Sequence, residues 1–312
     1  MKAVRFHEFG GPDVLRYEDV DVPTPGEGQV LVRVEATTFN GVEGNIRAGF
    51  MQGPIPVTLP HTPGLDVAGM VEALGEGVSG LEVGARVVGF LPMVDDGAAA
   101  DYVLAPAEVL ATAPTSVALA DAAALPLVAL TAYQALHDHA HLERGQRVLI
   151  NGAGGAVGGY AVQLAKAAGA YVIATANPDS SERVTAAGAD EVVDYTVTDV
   201  TSALREPVDV LLNLAPIDPE QYAALAALVR DGGVVVGTTV WMPTPGDEAR
   251  DVRAVDLYVT SDAQQLAELV AQVDRGELRI EVAERVPLAE LASVHERAAA
   301  GTLSGKVVVT VA

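Results

Sequence analysis

Cysteine is absent from the 312-residue chain. Disulfides, thiolate catalysis and any zinc or iron–sulfur site built on cysteine are therefore excluded. Basic side chains are scarce, with 19 Lys and Arg against 42 Asp and Glu, a formal net charge of −23. Gripping a nucleic-acid backbone takes clustered cations, so nucleic acid is excluded as a partner. Any anionic ligand would have to be held by local donors against the field of the whole chain. The opening stretch from Met1 to Glu8 has no apolar run that could act as a signal peptide, and no segment reaches transmembrane length without a charge or a breaker. A cytoplasmic protein with no membrane partner is expected, long enough for two domains with cores of their own.

What is present falls into two patterns. Strands are predicted at Lys2 to Phe6, Leu15 to Val20, Gln29 to Thr38, Asp66 to Leu74, Arg86 to Phe90 and Ala99 to Leu104, divided by Pro- and Gly-rich turns such as Val22 to Gly28. This is the pattern of a small barrel-like β domain. Near Ser116 it gives way to an Ala- and Leu-rich helical stretch, Leu119 to His137. Strands at Val148 to Asn151, Tyr171 to Thr175, Glu191 to Tyr195, Val208 to Leu214, Val234 to Thr238 and Leu257 to Thr260 then alternate with helices. Such alternation predicts an α/β fold with a doubly wound parallel sheet. The segment Gly305 to Ala312 is expected to return as a strand to the first domain. The boundaries read as 1–117 for the first domain, 118–256 for the second, and 257–312 for the last strand of the second and the return.

The chemistry is most legible between Val148 and Gly169, where an apolar run, the turn Gly152-Ala-Gly-Gly-Ala-Val-Gly158 and a helix with small residues follow one another. Glycines let the main chain turn sharply and approach a pyrophosphate, while a helix start directs unpaired N–H groups and a positive dipole end at the anion. Glycine spacing alone is weak, but the apolar segment Tyr171 to Ala176 follows at the spacing of a βαβ unit. Gly154, Gly155, Ala156, Val157 and Gly158 are the candidate cofactor contacts. The second strand ends in Thr175, Ala176 and Asn177, without the carboxylate that holds a ribose in NAD-preferring enzymes. Thr175, Ser180, Ser181 and Arg183 offer hydroxyls and a guanidinium, which predicts NADPH. Asp179 and Glu182 lie in the same stretch, where Arg183 could pair with a helical neighbour instead. Two further strand ends, Asn213 to Pro216 with Leu214 and Ala215, and Gly237 to Val240 with Thr238 and Thr239, are where open α/β sheets bind ligands, and nicotinamide contacts are expected there.

Met1 to Val4, Val22 to Glu35 with Asn40 beyond it, Pro63 to Gly69, Leu130 to Gln134, the glycine loop, Ala187 to Tyr195 and Gly305 to Val308 together resemble the medium-chain dehydrogenase/reductase superfamily. Within it the chain is most similar to the zinc-independent quinone oxidoreductases. The resemblance covers nearly the whole chain and implies a Rossmann domain plus a GroES-like β-barrel domain completed by the C-terminal segment. It places Asn40, Leu65 and Leu127 where zinc-dependent members carry ligands; neither leucine can bind a metal, and the four-cysteine zinc lobe is missing. No metal is expected. The alkoxide route of zinc alcohol dehydrogenases is thereby lost, leaving cofactor-borne hydride chemistry in an apolar cleft.

The resemblance implies a reductase using NADPH on a small-molecule quinone or α,β-unsaturated carbonyl substrate. Asn40 is placed near substrate or the nicotinamide ribose, although Asn beside Gly is also a common turn signal. Glu43 stands for the usual Asp, Gly41 for Pro and Asn45 for a frequent Tyr. Thr131 is implied to lie near the nicotinamide, and Tyr195 to line the 2′-phosphate pocket. Asn40, Glu43 and Thr131 are the catalytic candidates; no side chain is an obvious obligatory acid, so solvent is expected to supply the proton. Tyr133 reads as a core residue, His137, His139 and His141 as the polar end of a helix rather than a metal cluster, and His61 as a loop histidine ahead of a proton donor. Other readings are an enoyl reductase of a biosynthetic pathway and a non-catalytic NADPH-binding redox sensor. A homodimer is expected from the resemblance and from Val234 to Met242, taken as an apolar edge strand leading to Trp241.

Overall fold

A computed structural model describes residues 1–239 and 241–311. Val240 and Ala312, which end two of the segments singled out above, lie outside the described residues. The chain divides into two compact units, Met1–Leu127 with Ser261–Ala312, and Val128–Thr260.

The first unit holds strands β1 (Lys2–Phe6), β2 (Leu15–Asp19), β3 (Gln29–Thr38), β4 (Asp66–Leu74), β5 (Arg86–Phe90), β6 (Tyr102–Pro106) and β7 (Leu110–Thr112). In the second unit are β8 (Arg147–Asn151), β9 (Tyr171–Ala176), β10 (Glu191–Asp194), β11 (Val208–Asn213), β12 (Val229–Gly237) and β13 (Arg253–Asp256). The chain then re-enters the first unit with β14 (Glu284–Pro287) and β15 (Val307–Thr310). Helices are α1 (Gly41–Arg47), α2 (Leu119–Ala122), α3 (Pro126–Tyr133), α4 (Ala156–Ala167), α5 (Pro178–Ala186), α6 (Val200–Ala203), α7 (Pro219–Ala226), α8 (Ala263–Asp274) and α9 (Leu291–Ala299).

The first unit is a GroES-like β domain whose larger sheet runs β14-β15-β3-β4-β5-β7. Strand β3 is its hub. One side pairs with β4, and the other takes β6 along Gln29 to Arg33 and β15 along Ala36 to Thr38. The returning C-terminal strand is thus bonded into the first unit, antiparallel to β3. Alternation along β3 turns Val30, Val32 and Val34 into a core shared with Val67, Val87 and Val103.

The second unit has the strand order β10-β9-β8-β11-β12-β13, every neighbouring pair parallel. This is a Rossmann sheet, and the order reverses between β8 and β11, where doubly wound folds open toward ligands. Leu149, Ile173, Leu211 and Val235 are buried along its centre. Strands covered on both faces read as continuous apolar runs, which is why these four were legible.

Several expectations are corrected. The last parallel strand is Arg253–Asp256 rather than Leu257 to Thr260, because Val234–Gly237 pairs with the more polar segment. An outer strand is half solvated and need not be apolar, so the apolar run misled. It follows that β12 is not an edge, and the apolar edge that supported dimer formation is covered by β13; Trp241 remains 60% exposed. The unit boundary falls after Leu127 rather than 117, since α2 packs on β3, β4 and β15. Similarly, 257–260 stays with the second unit, where Leu257 donates its N–H to the Gly237 carbonyl.

The single helix expected from Leu119 to His137 is interrupted before Pro126, whose ring disfavours helical backbone at the residue preceding it, and it ends in a π-helical turn, Gln134–His139. By length and composition the 21-residue run Leu119–His139 could cross a membrane, but 78% of its most apolar window is buried within the protein, as in a core helix.

Candidate functional site

The C-terminal ends of β8, β9 and β11 are stitched by a relay of side chains. The Gly152 N–H donates to Thr175 Oγ1 at 2.9 Å, and the Thr175 hydroxyl donates to Asn151 Oδ1 at 2.9 Å. Asn151 Nδ2 then donates to Asn213 Oδ1 at 2.8 Å, and Asn213 Nδ2 to the Ala215 carbonyl at 3.1 Å. All three side chains are buried. The side chains of Thr175 and Asn213, two of the expected cofactor contacts, fix the loop together with Asn151, which sequence reasoning passed over. Next to Asn213, Leu214 and Ala215 are half-buried at the end of β11, as are Thr238 and Thr239 beyond Gly237.

The loop held in this way is shaped by missing side chains. Gly152 has a positive φ of 87°. A Cβ on Gly158 would lie 2.3 Å from the Ala153 carbonyl oxygen, and one on Gly154 would lie 2.4 Å from Ser180 Oγ. Helix α4 begins at Ala156 and Val157 with Gly155 as its N-cap, and no side chain caps it, whereas α5, α6 and α7 are each capped by Asn177, Asp199 or Asp218. An uncapped N-terminus leaves N–H donors and the positive dipole end directed at an anion. Thr239 Oγ1 is likewise buried with no hydrogen-bond partner among the described residues. These observations fit a dinucleotide along the strand ends.

On the adenosine side, Ser180 is buried in a capping box, its hydroxyl donating to Asn177 Oδ1 at 2.6 Å. Arg183 reaches back to the loop, Nη2 donating to the Gly154 carbonyl at 2.7 Å. Ser181 is half-buried and Tyr195 is 53% exposed just beyond β10. No carboxylate ends β9. Thr131 is buried on α3 in this unit. Tyr133 packs against His137 with ring centroids 4.5 Å apart and the rings tilted by 39°, and among the described residues no group of three or more His, Asp or Glu could hold a metal ion.

The first unit contains a polar cluster of the opposite character. Asp66, wholly buried at the start of β4, receives the Leu127 N–H on Oδ1 at 2.7 Å. Its Oδ2 receives Asn40 Nδ2 at 2.9 Å, Lys306 Nζ at 3.1 Å and the Thr38 hydroxyl. Lys306 also donates to Asn40 Oδ1 at 2.6 Å and, at 3.5 Å, to the Phe39 carbonyl. Glu43 Oε1 receives Asn40 Nδ2 at 3.0 Å and the Leu65 N–H at 3.3 Å. At the three positions where zinc-dependent relatives are expected to place ligands, this chain therefore offers an amide and two backbone N–H groups to carboxylates, and the cation is an ammonium. Asn40 is the N-cap residue of α1 but makes no side-chain cap, because its amide is committed to the cluster.

Burial pushes the Glu43 carboxyl up to about 7, and Asp66 adds to the rise while Asn40, Leu65 and Lys306 oppose it. Asp66 and Lys306 were missed as site residues. The available signal was a charged residue placed directly before an apolar run, Asp66 before Val67 and Lys306 before Val307.

A family model described as alcohol dehydrogenase GroES-like domain matches residues 26–115, and one described as zinc-binding dehydrogenase matches 187–309. The chloroplast envelope quinone oxidoreductase homolog of Arabidopsis thaliana is 32% identical, covering 99% of this chain and 98% of its own. A quinone oxidoreductase of Homo sapiens is 31% identical over 99% and 97%. Among solved structures, the quinone oxidoreductase from Coxiella burnetii superposes with a TM-score of 0.92 at 30% identity, covering 100% of this chain and 99% of that one. An NAD-dependent alcohol dehydrogenase matches at 0.90 and 30%, covering all of both chains. A mycobacterial protein solved with NADPH matches at 0.87 and 29%, covering 99% of each.

Proposed function

Because this chain belongs to the zinc-independent, quinone oxidoreductase-like branch of the medium-chain dehydrogenase/reductase superfamily, we propose that it is an NADPH-dependent reductase of quinones or α,β-unsaturated carbonyl compounds. The observation that carries the reading is the uncapped start of α4 beside a loop in which Cβ atoms at Gly154 and Gly158 have no room. Without those Cβ atoms, Ser180 and the Ala153 main chain pack directly against the loop, which fixes the main chain leading to the N–H donors that a pyrophosphate would meet. When bound, a reduced nicotinamide supplies the hydride. The protein holds the strand ends rigid through the Thr175, Asn151 and Asn213 relay, which fixes where a ligand on the loop must lie.

NADPH is favoured over NADH because Asn177, not a carboxylate, follows β9, while Arg183 lies against Gly154 and Tyr195 is open to solvent. The two solved relatives above differ here, one described as NAD-dependent and the other bound to NADPH, so the choice rests on this chain's own residues. A cytosolic homodimer completes the proposal on family resemblance alone, with β13 as the outer strand. Titrating the protein with NADPH and NADH at one ionic strength, then assaying a panel of quinones and enones, tests the reading. Tighter NADPH binding that Arg183→Ala weakens more than NADH binding is expected, since a guanidinium gains most from a phosphate. Equal affinity for the two cofactors would remove the NADPH preference, and turnover that a chelator abolishes and zinc restores would remove the metal-free chemistry.

A further inference from the structure

The chain of side-chain contacts that starts on the loop after β8 does not stop at Asn213. Tyr222, on α7, is buried, and its hydroxyl donates to Thr244 Oγ1 at 3.4 Å. Gly237, at the end of β12, leaves the room for this: a Cβ there would lie 2.5 Å from the phenol oxygen and 2.4 Å from Thr244 Oγ1. Burial pushes the phenol up, and hydrogen bonding by Thr244 and by Asn213 opposes the rise. Thr244 is pinned in turn by Asp256, the last residue of β13, whose Oδ1 receives its N–H at 2.8 Å and its hydroxyl at 2.6 Å; the Val255 carbonyl also lies within reach at 3.2 Å. A carboxylate and a carbonyl only accept. The Thr244 hydroxyl proton is therefore spent on them, and its oxygen is left to receive the Tyr222 O–H. The phenol oxygen receives from the Asn213 amide, whose Nδ2 has one proton for it and one for the Ala215 carbonyl. Every donor from Gly152 to Thr244 points the same way, from the loop toward the outer strand, the arrangement in which successive hydrogen bonds strengthen one another.

The same residues hold both ends of the segment that leaves β12. Thr238 donates its N–H and its hydroxyl to the Asn213 carbonyl at 3.2 and 3.3 Å, and Thr244 closes the far end on Tyr222 and Asp256. We propose that Tyr222 is a positioning residue for the dinucleotide, joining the glycine loop after β8 to the segment that leaves β12, so that the two strand-end regions expected to carry the ligand are set together. The inference rests on the dinucleotide reading above. With its hydroxyl committed to Thr244 and Asn213, Tyr222 acts through Asn213 and not on the ligand itself. A ligand that meets both regions then binds a frame already assembled, and ordering that frame does not count against its affinity. Every member of the chain, from Gly152 to Asp256, belongs to the second unit.

Variants of the full chain, titrated with NADPH, test this. Tyr222→Phe keeps the ring and removes the hydroxyl; Thr244→Val keeps nearly the same shape and removes the hydroxyl that receives it. Each should weaken NADPH binding by about 3- to 10-fold, the size of one hydrogen bond. Combining the two should bind NADPH no more weakly than Thr244→Val alone, because the link is already broken. Thr244→Ser, which retains a hydroxyl, should bind as the wild type does. Losses that multiply in the double variant, or a Thr244→Ser protein as weak as Thr244→Val, overturn the inference, since packing then sets the affinity. Wild-type affinity in either Tyr222→Phe or Thr244→Val overturns it as well. Each of these results leaves the dinucleotide reading standing, whereas a wild type that binds neither NADPH nor NADH overturns both. Should Tyr222→Phe not fold, Thr244→Val against Thr244→Ser decides: a gap of the expected size supports the link, and equal affinities refute it.

Discussion

The two polar sites of this protein are built on opposite principles. The loop after β8 works by omission, with backbone N–H groups exposed where glycines leave out side chains and neutral amides and a hydroxyl fixing the frame. The cluster below α1 works by concentration, bringing two carboxylates, an ammonium and an amide into a volume from which water is excluded. A site of neutral groups depends on shape and is indifferent to pH over the physiological range. A site of buried charges depends on each partner being present and correctly protonated.

The sharpest way to break the second site is to remove its cation. Lys306→Met would leave Asp66 buried with no counter-charge, and the expected loss is about 3–5 kcal/mol of unfolding free energy, read by denaturant titration. A loss below about 1 kcal/mol would mean that the pair contributes no more than a surface ion pair.

Next in size is the effect of Glu43. Its folded value, about 7, lies above the ordinary 4.5, so the folded protein binds this proton more tightly than the unfolded chain. Stability from this group is present in full below pH 4.5 and is lost as pH rises through 7, by roughly 3 kcal/mol, whereas Glu43→Gln should flatten that slope. His295, buried against Arg47 and held down to about 3, acts in the opposite sense and lowers stability as pH falls below 6.5. Comparing Glu43→Gln with wild type cancels the His295 contribution and isolates Glu43.

The smallest expected change tests the first site. Gly158→Ala forces a Cβ against the Ala153 carbonyl and should cost roughly 1–3 kcal/mol of stability, as overpacking does, at every pH between 5 and 8 within about 0.5 kcal/mol. Dinucleotide affinity should fall with it, because the displaced loop is the one that carries the N–H donors. A Gly158→Ala protein with wild-type affinity would show that the close approach of helix and loop is dispensable.

The same contrast explains what could be read in advance. The glycine loop, the strand before it and the helix after it are contiguous, so their order in the chain carries their geometry. The buried parallel strands were equally legible as apolar runs, and β13 was not, because an outer strand needs no such run. In the second site Thr38, Asn40 and Glu43 are neighbours, but Asp66 and Lys306 come from far along the chain and are brought together by the pairing of β15 with β3 and β3 with β4, while Leu127 arrives from α3. Family resemblance pointed to Asn40 and Glu43 without indicating their partners. It therefore suggested a free amide donor at Asn40, where the structure shows an amide already used on both sides.

Sequence by itself determined the class of fold, the dinucleotide loop and the loss of metal ligands, since each depends on local pattern or on a residue type that cannot do the chemistry. Tertiary structure alone decided which strand lies outermost, that the Thr175 and Asn213 side chains brace the loop, and that Lys306 supplies the cation beside Asp66. Each of these depends on hydrogen bonds between segments tens to hundreds of residues apart, and a buried polar atom takes whichever partner the fold sets beside it.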